Sequence, residues 1–157
     1  TQMGPLVSEQ QLNQVKKFFD IATAENLNCL TGGELLEASG YFVKPTVYAN
    51  VPTTSQLWME EVFGPVLVCA TFTDDAEAIR LANDSKFALA ATIVSADETA
   101  ALEMALQIKA GHIWINEQQI VLPEAGWGGF KQSGIGRELG GDGLSAYQKT
   151  KHVLLTD

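Results

Sequence analysis

The sequence predicts an α/β fold: a mostly parallel sheet with flanking helices, a long loop, and a C-terminal strand. Three observations lead there. Extended and helical hydrophobic periods alternate along residues 65–116, at lengths suited to strands and helices. Helix-opening signatures, Ser8-Glu9-Gln10-Gln11 and Ser95-Ala96-Asp97-Glu98 among them, stand before helical stretches. The composition is that of an ordinary globular chain, with 157 residues, 46% hydrophobic and 18% charged.

In the first signature the Ser8 hydroxyl and the Gln11 side chain would satisfy orphan amides. Leu12, Val15, Phe18, Phe19 and Ala22 then recur at helical spacing, so residues 8–26 should form an amphipathic helix. A short strand at 27–31 stops at Gly32-Gly33. Residues 42–48 read as extended, with Pro45 making them an edge or a broken strand. Val66 to Phe72 is a β-rich run, and Thr73-Asp74-Asp75 starts a helix to about Asn83. Residues 89–95 form another apolar run. The second capping box opens a helix that carries Leu102, Ala105 and Leu106 on one face. Gly111 ends it, and His112 to Asn116 is the next strand. Strand, helix, strand, helix, strand gives a βαβαβ core at about 65–116 with right-handed crossovers. Residues 117–145 hold eight glycines and one proline, a length of loop that is usually functional or interfacial. Lys151 to Thr156 reads as a last strand, placed to pair with another subunit. With no repeats, low-complexity tracts or linkers, residues 1–157 form a single domain.

Ten Lys and Arg against 19 Asp and Glu give a net charge of −9, which argues against a nucleic-acid groove or an anionic membrane as partner. Two cysteines are too few for a disulfide scaffold. No apolar run approaches the ~18–20 residues of a membrane span, and no signal-peptide pattern opens the chain. A soluble, cytoplasmic protein is expected from these residues. A start at Thr1 fits truncation, and a lost N-terminus would be the place for a targeting signal.

Gly134-Ile-Gly136-Arg137-Glu138-Leu139-Gly140 invites a dinucleotide-loop reading, but no apolar strand delivers those glycines to a helix N-terminus. A tight, glycine-enabled turn locking Arg137 and Glu138 in place is expected instead. Cys29 and Cys69 would be nucleophiles if a base or a helix N-terminus favoured the thiolate. Both sit in apolar runs, where a thiol behaves as a small buried hydrophobe. No cysteine–histidine pair has metal-ligand spacing, so no metal site is expected. His112 and His152 read as unremarkable. Glu60-Glu61-Val62-Phe63-Gly64-Pro65 stands directly before the strongest strand. A carboxylate there could accept two ribose hydroxyls and Phe63 offers a flat face to a ring; a solvated acidic pair beside a core Phe is the plainer alternative. Trp127 either walls a pocket or plugs a core. Glu138 beside Arg137 reads as a structural ion pair, or, if buried, as a proton relay.

Six segments resemble, in order, the C-terminal part of the catalytic domain of the NAD(P)-dependent aldehyde dehydrogenases. They are residues 3–8, 40–47, 60–66, 81–84, 110–116 and 127–140. The resemblance implies an α/β catalytic domain with a largely parallel sheet. It implies that Glu61 holds the nicotinamide ribose and that Phe63 packs near the nicotinamide. It further implies that Trp127 lines the aldehyde tunnel and that Glu138 is a proton-relay carboxylate. The terminal strand is similar to one that joins a sheet across subunits, so a homo-oligomer is implied. Phe87-Ala88 stands where Tyr-Gly is usual, and Gly126 replaces a common Pro. The family's nucleophilic Cys follows Gly-Gln and its general-base Glu opens Leu-Gly-Gly. Neither motif is in this chain, and the cofactor-binding Rossmann-type domain and the oxyanion-holding Asn are absent too. The family's route is thiolate attack, hydride transfer to NAD(P)⁺ and thioester hydrolysis, with NAD or NADP as cofactor of the complete enzyme. This chain alone is expected to be inactive, to bind the cofactor weakly, and to have the missing N-terminal part as a partner. A stand-alone oligomerisation or binding module is the alternative.

Overall fold

The computed structural model describes residues 3–156, which gather into two compact units divided between Phe72 and Thr73.

The first unit is built on helix α1, Glu9–Ala24. Ser8 caps it by accepting the Gln11 amide at 3.2 Å. The Gln11 side chain reaches back one residue further than a standard capping box, to the Val7 amide at 3.3 Å. Val15, Phe18, Phe19 and Ala22 form the buried stripe, each of the larger side chains contributing about 1.5–3 kcal/mol by leaving water. The helix ends on Asn26 in the left-handed region (φ 53°). The Asn26 amide donates to Thr23 O and the Leu27 amide to Ala22 O, so the last carbonyls are satisfied without a glycine.

Strands β1 (Asn28–Thr31), β2 (Thr46–Ala49) and β3 (Val66–Val68) form one sheet in that order, antiparallel then parallel. Pro45 breaks the expected 42–48 strand, leaving Val43 in an isolated bridge to Leu35. The strand that follows is central, not an edge, because the proline lies just outside the ladder. Thr46 is buried, yet its hydroxyl accepts from Gly33 N and donates to Lys44 O, so the burial costs little. A side chain at Gly32 would fall 2.4 Å from Pro45 O, and its φ of +75° independently calls for glycine. Every residue of β1 is exposed, Cys29 included. The expectation of a buried Cys29 therefore fails, whereas Cys69 is half-buried. A short helix α2, Gln56–Met59, caps itself with Ser55 and buries Leu57.

The second unit holds helix α3 (Asp75–Asn83), strands β4 (Phe87–Ala88) and β5 (Ala90–Ile93), and helix α4 (Glu98–Ala105). Strands β6 (His112–Ile115) and β7 (Phe130–Lys131) and helix α5 (Gly140–Ser145) complete it. β5 and β6 are parallel, with Ala90 opposite His112 and Ile93 opposite Ile115; α4 is the crossover. β4 and β7 pair antiparallel. The continuous βαβαβ sheet expected over 65–116 is thus replaced by two separate parallel pairs, since β3 takes β2 as its partner. At the start of α4 the cap is Asp97, which accepts from Thr99 and Ala100, and not Ser95, which accepts from Asp97. A carboxylate two residues closer to the helix reaches two orphan amides. Ala101 is the buried residue of α4, while Leu102 and Leu106 are exposed. Residues 150–156 carry no secondary structure among the described residues, so the expected terminal strand is not formed here. A strand is defined by its partner's hydrogen bonds.

Candidate functional site

In the first unit, Glu60 to Pro65 forms a turn between α2 and β3. Val62 is buried and anchors it, while Glu61 and Phe63 on either side are exposed. Phe63 is 70% exposed and sits in the left-handed region at φ 55°, which a bulky residue rarely adopts. It is held there from two sides. The Gln11 side-chain amide donates to the Phe63 carbonyl, and Gly64 presses so closely on Val15 that an added Cβ would lie 2.6 Å from Cγ2. The turn therefore presents a carboxylate and an aromatic face to solvent. The plainer alternative of a core Phe does not hold.

In the second unit, Trp127 and Glu138 face each other in a two-residue bridge. The Trp127 amide donates to Glu138 O at 2.6 Å and the Glu138 amide to Trp127 O at 2.8 Å. The glycine-rich turn between them is real: Gly134 and Gly136 have φ of 126° and 89°. Arg137 does not pair with its neighbour. Its Nη1 donates to Gly129 O (2.9 Å) and Gly136 O (2.7 Å), and its guanidinium lies 5.0 Å from the Phe130 ring centre. Glu138 is exposed, so the condition of burial set for a relay is not met. Around this hairpin an open cleft of about 1110 Å³ is lined by Trp127, Leu89, Arg137, Glu138, Leu144 and Tyr147, among others.

Sequence reasoning missed His112. Its ring stands 4.9 Å from Trp127 and 5.1 Å from Trp114, completing a cluster of three rings. No signal in the sequence pointed to it, because it rests on the closeness of Gly111 and Gly128, which no spacing rule reveals. A Cβ at Gly111 would lie 1.8 Å from Gly128 O. His152 is exposed and outside every element. Among the described residues no three His, Cys, Asp or Glu gather as a metal site, and no helix is long and apolar enough to cross a membrane.

These features define an α/β chain that offers an acid and a flat ring on one unit and an aromatic-walled cleft on the other. The aldehyde dehydrogenase family model matches residues 1–153. Over 153 residues the chain is 44% identical to the peroxisomal aminoaldehyde dehydrogenase 2 of Pisum sativum, covering 96% of this chain and 30% of that protein. It is 39% identical to the chloroplastic betaine aldehyde dehydrogenase of Beta vulgaris, over 96% of this chain and 31% of the relative. A crystal structure of a betaine aldehyde dehydrogenase from Staphylococcus aureus in complex with NAD⁺ matches with a TM-score of 0.94 at 41% identity, covering 98% and 31% of the two chains. The chain belongs to the aldehyde dehydrogenase family. It spans about a third of the length of these relatives.

Proposed function

We propose that this chain is the C-terminal segment of an NAD(P)-dependent aldehyde dehydrogenase, both units belonging to its catalytic domain, and that the complete enzyme oxidises an aldehyde to a carboxylate. Identity over nearly all of this chain to relatives of which it covers only 30–31% supports a segment of a longer enzyme, and the six ordered segments of the sequence support its C-terminal place. The relatives' names, and the affinity of an indole face for cations, favour an amino- or ammonio-aldehyde as substrate.

The exposed Glu61 carboxylate fits a pair of ribose hydroxyls, and the outward Phe63 ring fits the face of a nicotinamide. NAD or NADP, when bound, supplies the hydride acceptor; the crystal structure of a relative with NAD⁺ supports the first. Both residues act by holding and orienting. Trp127 walls the approach of the aldehyde, and Glu138 lines the same cleft, where the resemblance assigns it a proton-relay role that its exposure does not favour. Neither Cys29 nor Cys69 has the family nucleophile's flanking residues. Losing the thiol that forms the covalent intermediate removes the route itself, so the chain alone is inactive. With no strand–glycine–helix phosphate site among the described residues, it holds the cofactor weakly.

The test is NADH formation by the purified chain with a panel of aldehydes, alone and with an upstream segment carrying the thiol. Silence alone and turnover when complemented are expected. Turnover by the chain alone that is lost in Cys29→Ala or Cys69→Ala would overturn the reading.

One observation favours a second role, oligomerisation. Val153, Leu154 and Leu155 are 78–89% exposed in a segment without partners among the described residues. Such a segment adds readily to a sheet edge of another copy. Light scattering should report a homo-oligomer, and removal of residues 150–157 should lower its order.

A further inference from the structure

We propose that His112 is a positioning residue that sets the pitch of the Trp127 ring. That this ring meets the aldehyde rests on the function proposed above; the positioning itself does not.

The argument begins at the backbone. Gly111 and Gly128 touch so closely that no side chain fits between them, a Cβ at the first lying 1.8 Å from the second's carbonyl oxygen. Their chain neighbours His112 and Trp127 are thereby brought ring to ring, 4.9 Å apart with planes at 47°. The same imidazole stands 5.1 Å from Trp114. Trp114 is largely buried and is itself fixed, its Nε1–H donating to Ile120 O at 2.9 Å. His112 thus forms one corner of a triangle of rings, touching both an anchored indole and a second indole that lines the cleft. The two indoles lie 5.9 Å apart at 42°. Each of these tilted pairs is within the range that aromatic rings favour over a flat sandwich.

His112 acts here through its two ring contacts. Its Nδ1 is buried and has no hydrogen-bond partner among the described residues, so that edge of the ring contributes no bond to the arrangement. A phenyl ring should therefore replace the imidazole, whereas an aliphatic side chain of similar bulk should not.

The test reads the Trp114–Trp127 pair directly and needs no turnover, so its failure is distinct from failure of the aldehyde reading. In a Trp58→Phe background those two indoles are the only ones left, and their exciton couplet in far-ultraviolet circular dichroism reports their mutual angle. Trp127→Phe should abolish the couplet. His112→Phe should keep it, and His112→Leu should reduce it by about twofold or more, with greater acrylamide quenching of Trp127, at unchanged helix content. If His112→Leu unfolds the chain, His112→Thr, which suits a strand, should show the same loss. A couplet unaltered by loss of the ring, or lost equally in His112→Phe, would overturn the proposal.

Discussion

Phe63 carries an energetic conflict that magnitudes decide. A bulky residue in the left-handed region costs about 1–2 kcal/mol, while glycine there would cost about 0.5–1 kcal/mol in extra unfolded-state freedom. Phe63→Gly is therefore expected to stabilise the chain by about 0.5–1 kcal/mol in urea unfolding, since the ring it removes is mostly exposed. The same change should weaken NAD⁺ affinity in the complemented enzyme. At Gly111 the sign is opposite. An added methyl would meet backbone, which cannot rotate away, so Gly111→Ala should lower stability by about 1–3 kcal/mol or more. Residues of this kind mark the border of what the sequence discloses. Glu61, Phe63, Trp127 and Glu138 stand in local motifs, so the sequence could single them out, and the structure places the first two on an exposed turn and the last two along one cleft. His112 could not be singled out, and Arg137, expected to be locked by the turn, was given the wrong partner, because both depend on contacts with backbone and rings that local spacing does not show.

The helices were legible wherever a cap and a period coincided, and α1 and α3 fall close to their expected spans. Both share a detail that the capping box does not predict. The side chain three residues past the cap serves the amide before the cap, Gln11 for Val7 and Glu77 for Thr73 at 2.9 Å. At α4 two candidate caps lay side by side. Asp97→Ala should destabilise by about 1 kcal/mol and Ser95→Ala by clearly less, measured by thermal unfolding. The opposite ranking would restore the cap to Ser95. Strands were less legible, because pairing is a non-local choice. β3 is apolar and short, and nothing within it says that β2 rather than β5 is its neighbour. The two-residue strands β4 and β7, and helix α5 with three glycines among its six residues, carry no periodic signal at all.

At the scale of the whole molecule, two of the described groups tie stability to pH with opposite signs. Burial, and then the neighbouring Cys29 thiol, push the Tyr48 pKa above its ordinary value of 10.0. The fold thus favours the neutral phenol, and this stabilisation is present below pH 10 and lost as pH rises through the higher folded value. Hydrogen bonds from Thr73 hold the Glu77 pKa below its ordinary 4.5. Its stabilisation is present above that value and lost as pH falls through the lower folded one. Urea unfolding across pH should show a decline at both ends, with the alkaline limb shallower in Tyr48→Phe. The second unit also implies an order of events in time. Ser95 and Asn116, joined by paired hydrogen bonds, are 21 residues apart, whereas Ala88 and Ser133 are 45 apart. Doubling a loop costs only about 0.6 kcal/mol in closure entropy, but the longer loop here encloses the shorter one together with residues 117–129, which lie outside every named strand and helix and must be ordered before its contacts are gained. During refolding the β5–α4–β6 crossover would thus close ahead of the β4–β7 ladder, and the cleft around Trp127 would be the last part of the unit to acquire its walls.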